Sequence, residues 1–179
     1  EGLAYLGEAL AAAGFAALHI QHPGTDDSLW RGAADRRLSF AAAISDAQRA
    51  LDRLRDAIFV LDELPRRPEL AGRIDRTRLG IAGHSYGAWL VQHMLGQRLP
   101  GGDRGLVLPD PRLSAGIALS PVPPVGLPPS LAFSRVRTPI LHVTGTRDDT
   151  WVDGTRAEAR RIPFDAIAAP GVLAVLEGA

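Results

Sequence analysis

Arg78-Leu79-Gly80-Ile81-Ala82-Gly83-His84-Ser85-Tyr86-Gly87-Ala88-Trp89-Leu90-Val91-Gln92-His93-Met94-Leu95-Gly96 is the stretch whose reading decides the fold. Residues 78–82 have the apolar run of a short buried strand, and residues 88–95 have the spacing of a helix that Gly96 closes. Between them lies Gly83-His84-Ser85-Tyr86-Gly87, a G-x-S-x-G sequence. A serine on so sharp a strand-to-helix turn is lifted out of the sheet, with its hydroxyl exposed above the strand ends. Gly83 and Gly87 are expected because a Cβ at either place would crowd the tight turn. The backbone N–H of Tyr86 falls at a helix N-terminus, where donors without an intrahelical acceptor can hold a developing oxyanion. A plain Ser-Gly loop ahead of an ordinary helix is the alternative, and the strand and helix on the right sides argue against it.

Composition fits a globular domain. The chain has 179 residues, 46% apolar and 22% charged, enough for one domain with a sizeable core. Its formal net charge is zero, which gives no electrostatic reason to expect nucleic acid or an anionic membrane as partner. All 20 basic residues are arginine, scattered without forming a patch. The absence of cysteine removes disulfides, thiol catalysis and cysteine-based metal sites. No apolar run approaches a membrane span, and Glu1-Gly2-Leu3 carries no basic n-region of a signal peptide. Localisation is unreadable, because the chain begins without Met and inside a helical pattern.

Outward from the serine, helices alternate with strands. Leu3, Leu6, Leu10 and Ala13 predict a helix that Gly14 stops; Phe15–Ile20 reads as a strand, and 21–27 as a turn followed by a polar stretch to about Ser39. Ser45-Asp46-Ala47-Gln48 has the form of a capping box, followed by an apolar stripe of Ala47, Leu51, Leu54, Ile58 and Leu61 ahead of Pro65. Residues 66–77 form a charged connection. After the serine helix come a Gly/Pro loop over 99–111, a strand over Leu113–Leu119, the turn Ser120-Pro121-Val122-Pro123-Pro124, a strand over 139–144 and a last strand over 172–176. Nearly all-apolar strands alternating with helices imply a single α/β domain with a mostly parallel sheet covered on both faces. Chemistry in such sheets sits at the carboxyl ends of the strands, where Ser85 and Asp148 both fall.

Asp148 is the second candidate. A serine needs a histidine to take its proton, and the histidine needs a carboxylate to fix its tautomer and stabilise its cation. Gly145-Thr146-Arg147-Asp148 follows a strand end about sixty residues after the serine, the order in which strand–turn–helix sites supply their acid. Asp149 and the more distant Asp153 are alternatives, and a turn aspartate bonding its own backbone is the structural explanation.

Gly83–Gly87 after a strand, Pro139–Asp148, and the terminal Leu176-Glu177-Gly178-Ala179 together resemble α/β-hydrolases. The resemblance is to bacterial dienelactone-hydrolase-like and platelet-activating-factor-acetylhydrolase-like esterases, near the polyester-degrading cutinases. His22-Pro23-Gly24 looks like a turn of that group. The resemblance implies Ser85 as nucleophile, Asp148 as acid and the Tyr86 amide as one oxyanion donor, and it does not fix a substrate. A small-molecule ester is the substrate class expected, with no cofactor and no metal.

Two departures from the family accompany it. The strands that precede the first helix in the family, with their second oxyanion donor, are not among these residues. The five histidines, His19, His22, His84, His93 and His142, all precede Asp148, whereas the family's base follows the acid. The chain is therefore expected to be an internal fragment, with His22 the least implausible substitute base. The proline-rich residues 121–138 leave no room for a folded cap. Trp151 is expected either to line an open cleft or to pack under the acid turn. A non-catalytic module of the same fold, or a peptidase or acyltransferase on the same scaffold, are the competing functions.

Overall fold

The structure, a computed structural model, describes residues 3–26, 35–101 and 105–179. The end of the first turn, most of the polar stretch after it, and residues 102–104 of the Gly/Pro loop lie outside the described residues. Two compact units divide the chain, Glu1–Asp75 and Arg76–Ala179.

The first unit is helical. α1 (Ala4–Ala12) ends where expected, with Gly14 taking a positive φ of 88° just beyond it. Phe15–Ile20 pairs with no strand among the described residues, and Leu18 is 62% exposed. An apolar β-like run becomes a strand only when a neighbour takes its backbone hydrogen bonds, and this unit offers none.

A second helix, α2 (Arg36–Ser45), occupies sequence read as polar connection and as cap. Asp35 caps it by accepting from the amides of Arg37 and Leu38. Ser45 is thus the last residue of α2, its hydroxyl donating back to the Ala41 carbonyl. The cap of α3 (Ala47–Glu63) is Asp46, which accepts from the amides of Gln48 and Arg49. The expected capping box is therefore absent: a carboxylate one residue later took the position. On α3, Leu54 and Ala57 are buried, with Leu51, Ile58 and Leu61 half-buried beside them, while Ala47 is exposed.

The second unit contains a four-stranded, fully parallel sheet. Its strands are β1 (Leu79–His84), β4 (Leu113–Leu119), β5 (Ile140–Gly145) and β6 (Gly171–Leu176), in that spatial order. Gly116 lies opposite Ile81 on one side and Ile140 on the other, and Ile140 lies opposite Gly171, which fixes one register across the sheet. A small antiparallel pair, β2 (Arg98–Leu99) with β3 (Leu106–Val107), sits in the region read as loop.

Helix α4 (Tyr86–Met94) covers one face of the sheet. A Cβ on Gly116 would meet Leu95 and Val91 (3.1 Å to the latter), so this strand is thin where the helix crosses it. The four-residue α5 (Pro129–Ala132) is the sole α-helix described between residues 121 and 138, and α6 (Ile162–Ala166) carries Phe164 against His142 on the same face as α4. Ala88, Val91, Met94, Phe133, Val136 and Ile140 form the buried core there. Residues of the opposite face are more exposed, Val172 at 60% and Leu176 at 54%, and no helix of this unit covers them. The arrangement is an α/β fold: a parallel sheet flanked by helices, with a serine between its first strand and the helix that follows.

Candidate active site

The site is built at the carboxyl ends of β1, β4 and β5. Ser85 leaves β1 with φ 54° and ψ −112°, a conformation that L-residues with a Cβ rarely hold. Three contacts enforce it. Its amide donates to the Leu119 carbonyl at 2.9 Å, continuing the β1–β4 ladder by one bond. Its carbonyl accepts from the Trp89 amide at 3.0 Å, the first bond of α4. Gly83 lies so close to the Gly87 backbone that a Cβ there would collide with it. At Gly87 itself a Cβ would meet nothing within 4 Å. The crowding expected at both glycines therefore falls on Gly83 alone, because its missing side chain is what lets the helix start fold back over the strand. Ser85 is half-buried, and the Tyr86 amide opens the first turn of α4.

At the end of the neighbouring strand, Ser120 repeats the geometry with φ 52°, its amide donating to the Val143 carbonyl at 2.8 Å. The turn after it is fastened from α4. Gln92 is fully buried; its Nε2 donates to the Val122 carbonyl and its Oε1 accepts from the Val122 amide at 2.9 Å. A buried amide with both ends satisfied is rigid, so this wall of the site is fixed to the helix that carries Ser85.

Asp148 follows β5. Its Oδ2 accepts from the Thr144 hydroxyl at 2.8 Å and lies 3.6 Å from Nε of Arg160. Oδ1 accepts no hydrogen bond among the described residues. Asp149 is used otherwise: Oδ1 accepts from the Ala157 amide at 2.9 Å, and Oδ2 pairs with Arg156 at 2.9 Å. Asp153 accepts from the Thr155 amide within its own turn. Trp151 is 57% exposed.

The turn leaving β6 lies against the acid turn. The Arg147 amide donates to the Ala179 carbonyl at 2.6 Å, and the Gly178 amide donates to the Thr146 hydroxyl at 2.9 Å. Gly145 has to be glycine, because a Cβ would run into Ala179.

The histidines of the second unit are differently placed. His84 is exposed at the end of β1. His93 is buried in α4, with Nδ1 2.8 Å from the Trp89 carbonyl, and burial lowers its pKa from 6.5 to about 4. His142 is buried on the α4 face of β5 with neither ring nitrogen hydrogen-bonded among the described residues, and desolvation lowers its pKa to about 4 as well.

In the first unit, a Cβ on Gly7 would collide with the His19 ring. His22 pairs through Nδ1 with Asp56 Oδ2 at 2.9 Å; burial and the nearby Arg53 charge lower its pKa against the pull of Asp56. Arg49 donates to the Gly24 carbonyl and Arg53 to the Thr25 hydroxyl, so one side of α3 clamps the His22-Pro23-Gly24-Thr25 turn. His22 is committed to that clamp.

Among the described residues, no group of three or more His, Asp or Glu is arranged to hold a metal ion. None of their helices is long and apolar enough to cross a membrane. A cavity of about 460 Å³, lined by Phe133, Arg137 and Pro170 among others, opens beside the residues that lead into β5 and β6, at the opposite edge of the sheet from Ser85.

The fold and the serine turn define an α/β scaffold with a strand–serine–helix turn at the carboxyl end of β1. No protein-family model matches the chain, and no curated protein matches it. Among solved structures, SOBER1 from Arabidopsis thaliana is similar at 21% sequence identity with a TM-score of 0.44, over 75% of this chain and 57% of that one. The chain thus spans little more than half the length of that protein.

Proposed function

We propose that the protein carrying this chain is a serine hydrolase of carboxylic esters, working through an acyl-Ser85 intermediate. The observation that carries this reading is the left-handed backbone of Ser85 between β1 and α4. Such strain persists only where surrounding contacts hold it, and it sets a hydroxyl above the sheet beside the first amides of a helix. In this mechanism Ser85 Oγ attacks the acyl carbonyl and gives its proton to an imidazole. The Tyr86 amide receives the oxyanion. The leaving alkoxide takes the proton, and water releases the acyl group by the same steps in reverse order.

Asp148 is the proposed acid. It stands two strands from Ser85 in the order β1-β4-β5, and strand spacing puts roughly 10 Å between the outer two. One imidazole hydrogen-bonded at both nitrogens bridges oxygens roughly 7–8 Å apart, a comparable gap. A free Oδ1 on Asp148 suits that partner. The proposed base is a histidine following β6, as the esterase resemblance implies, and the contacts of Gly178 and Ala179 with the acid turn support that route. Small esters in an open cleft are the proposed substrates, since residues 121–138 are too few for a folded cap and hold only the four-residue α5.

A fluorophosphonate probe tests the reading. It should label Ser85 alone in the full-length protein, and labelling at any other residue would remove the assignment.

A further inference from the structure

We propose that Arg160 is a positioning residue for this reaction, setting the Asp148 turn against the wall formed by Ser120 and Pro121; this rests on reading Asp148 as the acid. Arg160 lies in the 3-10 turn Ala157–Arg161 and is 3% exposed. A guanidinium so buried is costly unless its donors are used and its charge is answered. Here Nε donates to the Asp148 carbonyl at 3.1 Å, and Nη1 donates to the carbonyls of Ser120 at 3.3 Å and Pro121 at 3.2 Å. The same Nε is 3.6 Å from Asp148 Oδ2, the one carboxylate oxygen paired with it among the described residues.

One side chain thus ties together the turns that end β4 and β5. Both matter to the proposed chemistry: one carries the acid, and the other is fixed by Gln92 to the helix of Ser85. Thr144 and Arg160 both address Oδ2, which turns the carboxylate to a single orientation and reserves Oδ1 for an imidazole. Only a planar fork can bond two turns at once, so an ammonium in its place reaches one turn or the other. Asp149, the neighbouring carboxylate, is occupied by Arg156 and the Ala157 amide and does not compete for Arg160.

The test measures kcat and KM for a short-chain p-nitrophenyl ester in Arg160→Met, Arg160→Lys, Asp148→Asn and the Arg160→Met/Asp148→Asn double variant. Each is made in the full-length protein and checked for folding by thermal melt. Arg160→Met should lower kcat by about tenfold to a hundredfold with KM little changed, because the acid is displaced rather than the cleft. Arg160→Lys should restore part of kcat. In the Asp148→Asn background the Arg160 change should cost little more, since it acts through that carboxylate. If Arg160→Met does not fold, Arg160→Lys and Thr144→Val decide, each expected to lower kcat in folded protein. Folded Arg160 variants with the wild-type kcat, or losses that multiply fully with Asp148→Asn, overturn the proposal. Full activity in Asp148→Asn itself would instead overturn the reading of the acid.

Discussion

Ser85 and Ser120 stand at the carboxyl ends of adjacent parallel strands, and both hold a positive φ, 54° and 52°, alone among the described non-glycine residues. Each passes its amide across to the next strand, Ser85 to Leu119 and Ser120 to Val143, before the chain turns away from the sheet. The two bonds end the strands at matched heights. Strain at such places is stable only because surrounding bonds hold it: the ladder bond and the first bond of α4 at Ser85, the ladder bond and the grip of Gln92 on Val122 at Ser120.

Ser85→Ala should leave the fold intact and remove nearly all ester turnover, on the order of a thousandfold or more. Steady-state rates beside a circular dichroism spectrum check this. Undiminished turnover in the folded alanine variant would take the nucleophile away from this turn.

Asp148→Asn and Asp149→Asn should separate chemistry from structure. The first should cut kcat steeply with a small change in melting temperature. The second should spare kcat but cost about 1 kcal/mol in stability, because Asp149 holds the Ala157 amide and Arg156. Rates and melts reversed between the two would move the acid to Asp149.

Gly83→Ala and Gly87→Ala should differ sharply. The first drives a methyl into the Gly87 backbone and should destabilise by about 3 kcal/mol or prevent folding, whereas the second meets open space. Urea unfolding of both variants measures the difference. Equal effects would contradict the close approach of strand and helix.

Acid should weaken the second unit through its buried histidines. His93 and His142 titrate near 4 in the fold against 6.5 unfolded, so the unfolded chain binds more protons between those values. Stability is therefore full above about pH 6.5 and falls as pH drops toward 4, by roughly 3 kcal/mol per histidine at the end of that window. His142→Leu should remove one share of the loss and, with two unbonded ring nitrogens gone, cost nothing at pH 7.5. Urea midpoints at pH 7.5 and 5.0 test it; an unchanged pH dependence would mean that His142 is not the group titrating.

What the sequence determined by itself was local. Strands over 78–82, 113–119, 139–144 and 172–176 and a helix over 88–95 were legible, each within two residues of the observed bounds, because short apolar runs and glycine stops act over a few residues. The strand-to-helix turn at Ser85 was legible for the same reason. Tertiary structure decided the rest. Phe15–Ile20 has a strand's composition yet no partner in its unit, since pairing is a property of two segments. Asp46 rather than Ser45 caps α3 because α2, unseen in the sequence, uses Ser45 as its last residue. Nothing in Ala157-Glu158-Ala159-Arg160-Arg161 marks which arginine is buried: Arg161 pairs at the surface with Asp165, while Arg160 reaches carbonyls forty residues earlier in the chain. Those carbonyls come within its reach only once β4 and β5 are paired, so its place depends on contacts that no local pattern encodes.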